Sequence, residues 1–167
     1  IHDLDTVVDM ALENYLMERT SATGLAERVN TFYFRTELER LLSKGTVRIA
    51  FENDLPIGFL AFGEIVEARP GIKVATSPLW GYGIRHDRRG EIIGRLFQDT
   101  AAELCRNYAQ SLRVLVYAHD TEVLWSYLMS SFAMDMAGVV RDTSSLVDSD
   151  TQHGYSFREV SRTELPG

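Results

Sequence analysis

The chain has 167 residues, 45% of them apolar, with 24 acidic against 17 basic side chains and a formal net charge of −7. That length and composition predict one domain with a real core. The acidic balance argues against a nucleic-acid surface, which needs clustered Lys and Arg, and no apolar run of about 18 residues offers a membrane span.

The first residues, Ile1-His2-Asp3-Leu4-Asp5, do not form a basic-then-apolar leader. Cys105 is the sole cysteine, so no internal disulfide forms, and a reducing, cytoplasmic setting is expected. Its place beside Leu104 predicts a buried structural thiol.

In chain order, Asp3–Met17 reads as a helix, with Val7, Val8, Ala11, Leu12, Tyr15 and Leu16 at helical spacing. Thr20–Gly24 interrupts it. A second helix is predicted over Leu25–Ser43, with Val29, Phe32, Tyr33, Leu38, Leu41 and Leu42 on its apolar side and Lys44-Gly45 ending it. Thr46–Phe51 alternates as a strand does, Glu52–Pro56 is a turn, and Ile57–Val66 is the return strand. Gly58 and Gly63 within it predict a bulge or a close neighbour. After the Ala68–Gly71 loop comes a third, irregular strand over Lys73–Ile84, broken at Pro78.

The motif that follows is the most informative. Trp80-Gly81-Tyr82-Gly83-Ile84 leads into Arg88-Arg89-Gly90-Glu91-Ile92-Ile93-Gly94-Arg95-Leu96, and a helix is predicted from Arg95 to Tyr108. Strand, glycine-bearing turn and helix N-terminus make an anion site. The first amides of a helix have no intrahelical partner, and the dipole favours negative charge there. Arg89 and Arg95 add donors suited to phosphate oxygens, so a phosphorylated ligand is expected at this turn.

Leu112–Ala118 reads as a central strand buried on both faces. Thr121–Phe132 is a helix, and Met136–Ser145 and Gly154–Val160 are closing strands joined by the acidic Asp148-Ser149-Asp150 loop. The whole is a mixed α/β (α+β) arrangement with helices on both faces of the sheet.

This element order, with that turn in that place, resembles the GNAT superfamily of N-acetyltransferases, which use acetyl-coenzyme A. The resemblance covers nearly all of residues 1–167 as one domain, with the family's opening strand absent or truncated. In the family pattern Arg/Gln-x-x-Gly-x-Gly/Ala, Arg89 takes the first slot and Gly94 the last, while Ile92 stands where the middle Gly is expected. The second signature, Asn-x-x-Ala-x-x-x-Tyr followed by Gly-Phe, is met in spacing by Asp120, Val123, Tyr127 and Ser131-Phe132, with Tyr127 and Phe132 identical.

The resemblance implies a six- to seven-stranded mixed sheet, splayed between its fourth and fifth strands. Backbone amides from Gly90 through Glu91, Ile92, Ile93 and Gly94 to Arg95 would bind the coenzyme pyrophosphate, with Ile92 turned away from it. The pantetheine arm would pair with the backbone near Trp80, Tyr82 and Ile84 as an added strand does. Asp120 sits where the family's Asn meets that arm; it also suits the N-cap of the Thr121 helix.

Acyl transfer from a thioester to an amine needs a neutral amine and a stabilised thiolate. Tyr127 would be the general acid, since a phenol of pKa about 10 keeps its proton at neutral pH; otherwise it is a packed helix aromatic. No acid lies in Thr76–Gly81, where many family members put the base. Glu64 and Glu67 are the nearest carboxylates, as base or as solvated charges. His86 and His119 are polar loop residues or bases. No cluster has metal-ligand spacing, so no metal is expected.

The acceptor, a small-molecule or peptide amine, would meet the first two helices, where Tyr15, Phe32, Tyr33 and Phe34 supply aromatics. Glu13, Glu18, Glu37 and Glu39 suit a cationic amine or an ordinary solvated face. A homodimer is compatible with the resemblance. The competing reading is a catalytically inactive GNAT-like module that binds coenzyme A or a partner. An unrelated nucleotide-binding α/β fold would carry its glycine turn after the first strand.

Overall fold

The computed structural model describes residues 4–22, 25 and 29–138. Two helices open it, α1 (Leu4–Ser21) and α2 (Thr31–Lys44). Helix α2 starts later than its periodicity suggests because Asn30 caps it, its side chain accepting from the Tyr33 amide at 3.0 Å. Its buried face is Phe34, Leu38 and Leu41, while Phe32 and Tyr33, expected on the apolar side, are exposed.

Strands β1 (Thr46–Glu52) and β2 (Leu55–Phe62) form an antiparallel hairpin. Asn53 and Asp54 both take positive φ, 51° and 63°, in its two-residue turn. Turns of that kind twist with the strands, and Asn and Asp tolerate the conformation. The expected bulge lies beside Gly58, where the register shifts between Ala50 and Phe51.

The return strand and the irregular strand form one interrupted hairpin. Its outer part pairs β3 (Val66–Arg69) with β4 (Ile72–Ser77), and its inner part pairs β2 with β5 (Tyr82–Ile84). Pro78–Gly81 bulges between them, closed by a 2.8 Å bond from Gly81 N to Pro78 O. The single six- to seven-stranded sheet expected is therefore corrected, among the described residues, to two three-stranded sheets, β1-β2-β5 and β3-β4-β6. Proline, which lacks a donor, sits where the ladder breaks.

Helix α3 (Arg89–Arg106), strand β6 (Ser111–Val114) and helix α4 (Thr121–Met129) complete the described elements. Strand β6 pairs in parallel with β4 and is shorter and less buried than the central strand expected over Leu112–Ala118. Met136–Gly138 form no strand, and the remainder of the two closing strands lies outside the described residues.

Strand β2 shows why helices lie on both faces. Its side chains alternate. Leu60 and Phe62 join Tyr82, Ile92, Ile93, Leu104, Val123 and Tyr127 under α3 and α4. Phe59 and Ala61 join Val7, Met10, Leu38 and Leu41 under α1 and α2. Helix α1 lies at backbone contact on β5: a Cβ on Gly83 would stand 2.8 Å from the Met10 carbonyl oxygen. None of the described helices is long and apolar enough to cross a membrane.

Candidate active site

Helix α3 begins six residues earlier than the expected Arg95 start. Ile92, Ile93, Leu96, Thr100 and Leu104 already form its buried stripe. The first bond of its ladder runs from Ile92 N to Arg88 O at 3.1 Å. From Ile92 onward, helical geometry commits each amide to the carbonyl four residues back. The expected cradle from Gly90 through Arg95 is thus corrected: Ile92, Ile93, Gly94 and Arg95 hold no amide for an anion. Only the amides of Arg89, Gly90 and Glu91 precede the ladder. Gly90 and Glu91 border a groove of about 570 Å³ between α3 and α4, lined also by Arg88, Glu122, Trp125 and Met129, and the Gly90 amide donates to Glu122 Oε2 there at 3.5 Å. Gly90 lets the two helix N-termini meet, since a Cβ there would lie 2.9 Å from Glu122 O.

The side chains of this turn divide. Ile92 is 7% exposed and packs in the core, outside the lining of the groove. Gly94 lies against Ser126 of α4. Arg95 is solvated and pairs with Glu91 at 2.6 Å. Arg89 turns inward. Its Nε donates to Asp120 Oδ1 at 3.0 Å, Nη2 to Asp120 Oδ2 and to Asn14 Oδ1, and Nη1 to Ile84 O. Burial opposes its charge, but the bonds to Asp120 and that residue's charge outweigh it and hold the guanidinium pKa above the ordinary value. Asp120 stands at the N-cap of α4 yet makes no capping bond, because both oxygens are taken by Arg89.

Strand β5 has one edge on β2. Arg85 N bonds Ile57 O and Gly81 O accepts from Ala61 N, so by alternation Tyr82 and Ile84 turn their backbone groups the other way. On that side Tyr82 O accepts from Asn14 Nδ2 at 3.5 Å and Ile84 O from Arg89. The buried Tyr82 hydroxyl accepts from Tyr117 N at 3.1 Å.

Tyr127 is buried, edge-on to Phe97 and Phe132 at 5.5 and 5.2 Å. Burial, followed by the nearby Tyr82 and Asp120, pushes its phenol pKa up. The end of α4 fixes this contact. Phe132 N bonds Tyr127 O and Ser131 N bonds Leu128 O, with Ser131 at φ 68°. That is a Schellman cap, whose left-handed slot is usually glycine and whose flanking residues touch. It stops α4 at Met129 instead of Phe132.

The remaining candidates are dispersed. Glu64 is exposed in the break between β2 and β3. Glu67 accepts from the Gly71 amide at 2.7 Å, closing the β3–β4 turn. His86 is a loop residue accepting from Arg88 N at 3.0 Å. Cys105 is exposed, not buried, since Leu104 takes the core position on that turn. Among the described residues no three His, Cys, Asp or Glu side chains are grouped to hold a metal.

Asn14 and Glu18 were not foreseen in this role. They stand one turn apart on α1, in line with Val7 and Ala11 on its buried face. Glu18 Oε2 accepts from His119 N at 3.0 Å and lies 2.6 Å from His119 Nδ1. An Asn in an apolar stripe was the available signal, because a buried amide needs a partner.

Structures of known proteins agree with this fold. The tetramutant of the BH1408 protein from Bacillus halodurans is 14% identical, with 84% of this chain and 94% of that one covered at a TM-score of 0.64. A ribosomal-protein-alanine N-acetyltransferase from Brucella melitensis biovar Abortus 2308 is 17% identical, with 84% and 93% covered at 0.55. A protein described as a probable acetyltransferase is 17% identical, with 81% and 87% covered at 0.58. No family model matches the chain, and no curated protein matches it in sequence. The fold is therefore shared with these structures, two of which are described as acetyltransferases, at an identity that speaks for fold alone.

Proposed function

We propose that this protein binds acetyl-coenzyme A and transfers the acetyl group to an amine carried by a small molecule or a peptide. The observation that carries this reading is the place of Tyr127 in one core cluster with Tyr82 and Ile84 of β5, the strand that β2 covers on one edge alone.

The residues fit the coenzyme in part. The amides of Arg89, Gly90 and Glu91 and the Arg88 side chain would hold the pyrophosphate at the groove mouth, against the opposing charges of Glu91 and Glu122. The Tyr82 and Ile84 amides, whose carbonyls already accept from Asn14 and Arg89, would hold the arm. Acetyl-coenzyme A supplies the thioester. Tyr127 keeps its proton at neutral pH, and a pKa raised above 10 makes full transfer to a thiolate uphill. Its role is to donate a hydrogen bond to the leaving sulfur as charge develops there.

The experiment is thiol release from acetyl-coenzyme A across an amine panel, with Tyr127→Phe alongside. Turnover is expected, reduced about 10²–10⁴-fold in the variant; equal rates would remove Tyr127 from the chemistry. One observation favours an inactive module instead: Arg89 and Asp120 satisfy each other. Coenzyme binding without thiol release would select that reading.

A further inference from the structure

Among the described residues only two buried side-chain polar atoms lack a hydrogen-bond partner, Trp80 Nε1 and His119 Nε2. Such orphans are rare in folded proteins and call for a ligand, a water or a chemical role. Both lie along one run of aromatic rings. Trp80 meets Phe34 at 6.3 Å, Phe34 meets Tyr15 at 5.8 Å, Tyr15 meets Tyr117 at 6.4 Å, and Tyr117 stacks on His119 at 6.0 Å. The run spans α1, α2 and the Pro78–Gly81 bulge, the side on which an acceptor is expected.

His119 is oriented as a base is oriented. Its side chain is 10% exposed and that of Glu18 13%. The carboxylate can only accept, so the 2.6 Å contact puts a hydrogen on Nδ1. In the neutral ring the lone pair is then on Nε2, the atom without a partner. The charged and titratable groups around it are Glu18 and Tyr15 from α1, Tyr117 before it in the chain, and Asp120 after it, neutralised by Arg89 of α3.

We infer that His119, positioned by Glu18, is the general base that deprotonates the acceptor amine. This rests on the acetyltransferase reading and supplies the base missing from Thr76–Gly81. The nitrogen lone pair forms the N–C bond to the acetyl carbon, and the C–S bond breaks. Sulfur leaves as the thiolate, hydrogen-bonded by Tyr127, and takes up a proton. The surplus proton on nitrogen passes to His119 Nε2 and from there to solvent.

The test uses the full chain with the best amine of the panel, following thiol release against pH and coenzyme affinity by calorimetry. His119→Gln is expected to lower kcat about 10²–10⁴-fold, to abolish the acid-side limb of the pH profile, and to leave coenzyme affinity unchanged. Glu18→Gln, which keeps a hydrogen bond to the ring, is expected to shift that limb and lower kcat about tenfold, as losing a ring-orienting partner does. Imidazole added to His119→Ala is expected to restore part of the rate. Nitrogen NMR should find the neutral ring as the tautomer that carries its hydrogen on Nδ1. A His119→Gln rate and pH profile equal to the parent's overturns the assignment and leaves the acetyltransferase reading standing. Absence of thiol release by the parent protein with any amine overturns both.

Discussion

The Arg89 guanidinium grips both carboxylate oxygens of Asp120, tying the first turn of α3 to the N-cap of α4. The side chains are 15% and 1% exposed. Removing one partner of such a pair leaves an uncompensated buried charge, so Arg89→Met should cost about 3–5 kcal/mol in urea unfolding. Replacing both, as Arg89→Met with Asp120→Leu, should recover much of that loss. Equal losses in the single and double variants would mean that the pair is not what Asp120 depends on.

Ile92 stands where the GNAT pattern carries glycine. Its side chain packs between β2 and β5, a Cβ on Gly58 lying 3.1 Å from its Cγ2. Ile92→Gly would open a cavity and loosen the helix, a loss of about 3–5 kcal/mol. Since the side chain does not face the groove, the pattern's glycine should bring no gain in coenzyme affinity by calorimetry. A variant that binds more tightly would mean that Ile92 screens the amides.

Ser131 adopts φ 68° in the cap that ends α4. Glycine meets no steric cost there, so Ser131→Gly should raise stability by about 0.5–1 kcal/mol, seen as a higher urea midpoint at constant m. Because the cap also seats Phe132 on Tyr127, thiol release should survive the change.

Burial lifts the phenol pKa values of Tyr82, Tyr117 and Tyr127 above the ordinary value. Between the unfolded and folded values the native state therefore binds more protons than the unfolded chain. Stability from these groups is complete below pH about 10 and falls above it, by up to about 1.4 kcal/mol per pH unit for each phenol. Urea unfolding from pH 9 to 11.5 should follow that course, and Tyr127→Phe should reduce the slope by one phenol's share. A flat profile would mean that the phenols titrate alike in both states.

Periodicity revealed the helices, the hairpin and the broken strand, because apolar spacing and Pro78 act locally. It misplaced the start of α3, where Arg88–Glu91 gave no apolar signal although Ile92 and Ile93 were already the helix's buried face. The resemblance brought Tyr127 and Asp120 to one place, but not the partner of Asp120. Arg89 read as a phosphate ligand because its charge was legible and its direction was not. Asn14 and Glu18 meet Arg89 and His119 from opposite ends of the chain, and only the packing of α1 on the sheet brings them there. Strand β6 looked central from its composition; its depth depends on neighbours in the fold.

The contact between Gly83 and the Met10 backbone sets the height at which α1 rides over the sheet. Even one methyl group at position 83 would act as a shim. The helix would lift, and Asn14 and Glu18 would be carried off Arg89 and His119 without either being altered. A residue with no side chain thus governs both polar contacts from below, and substitutions there should weaken the two together.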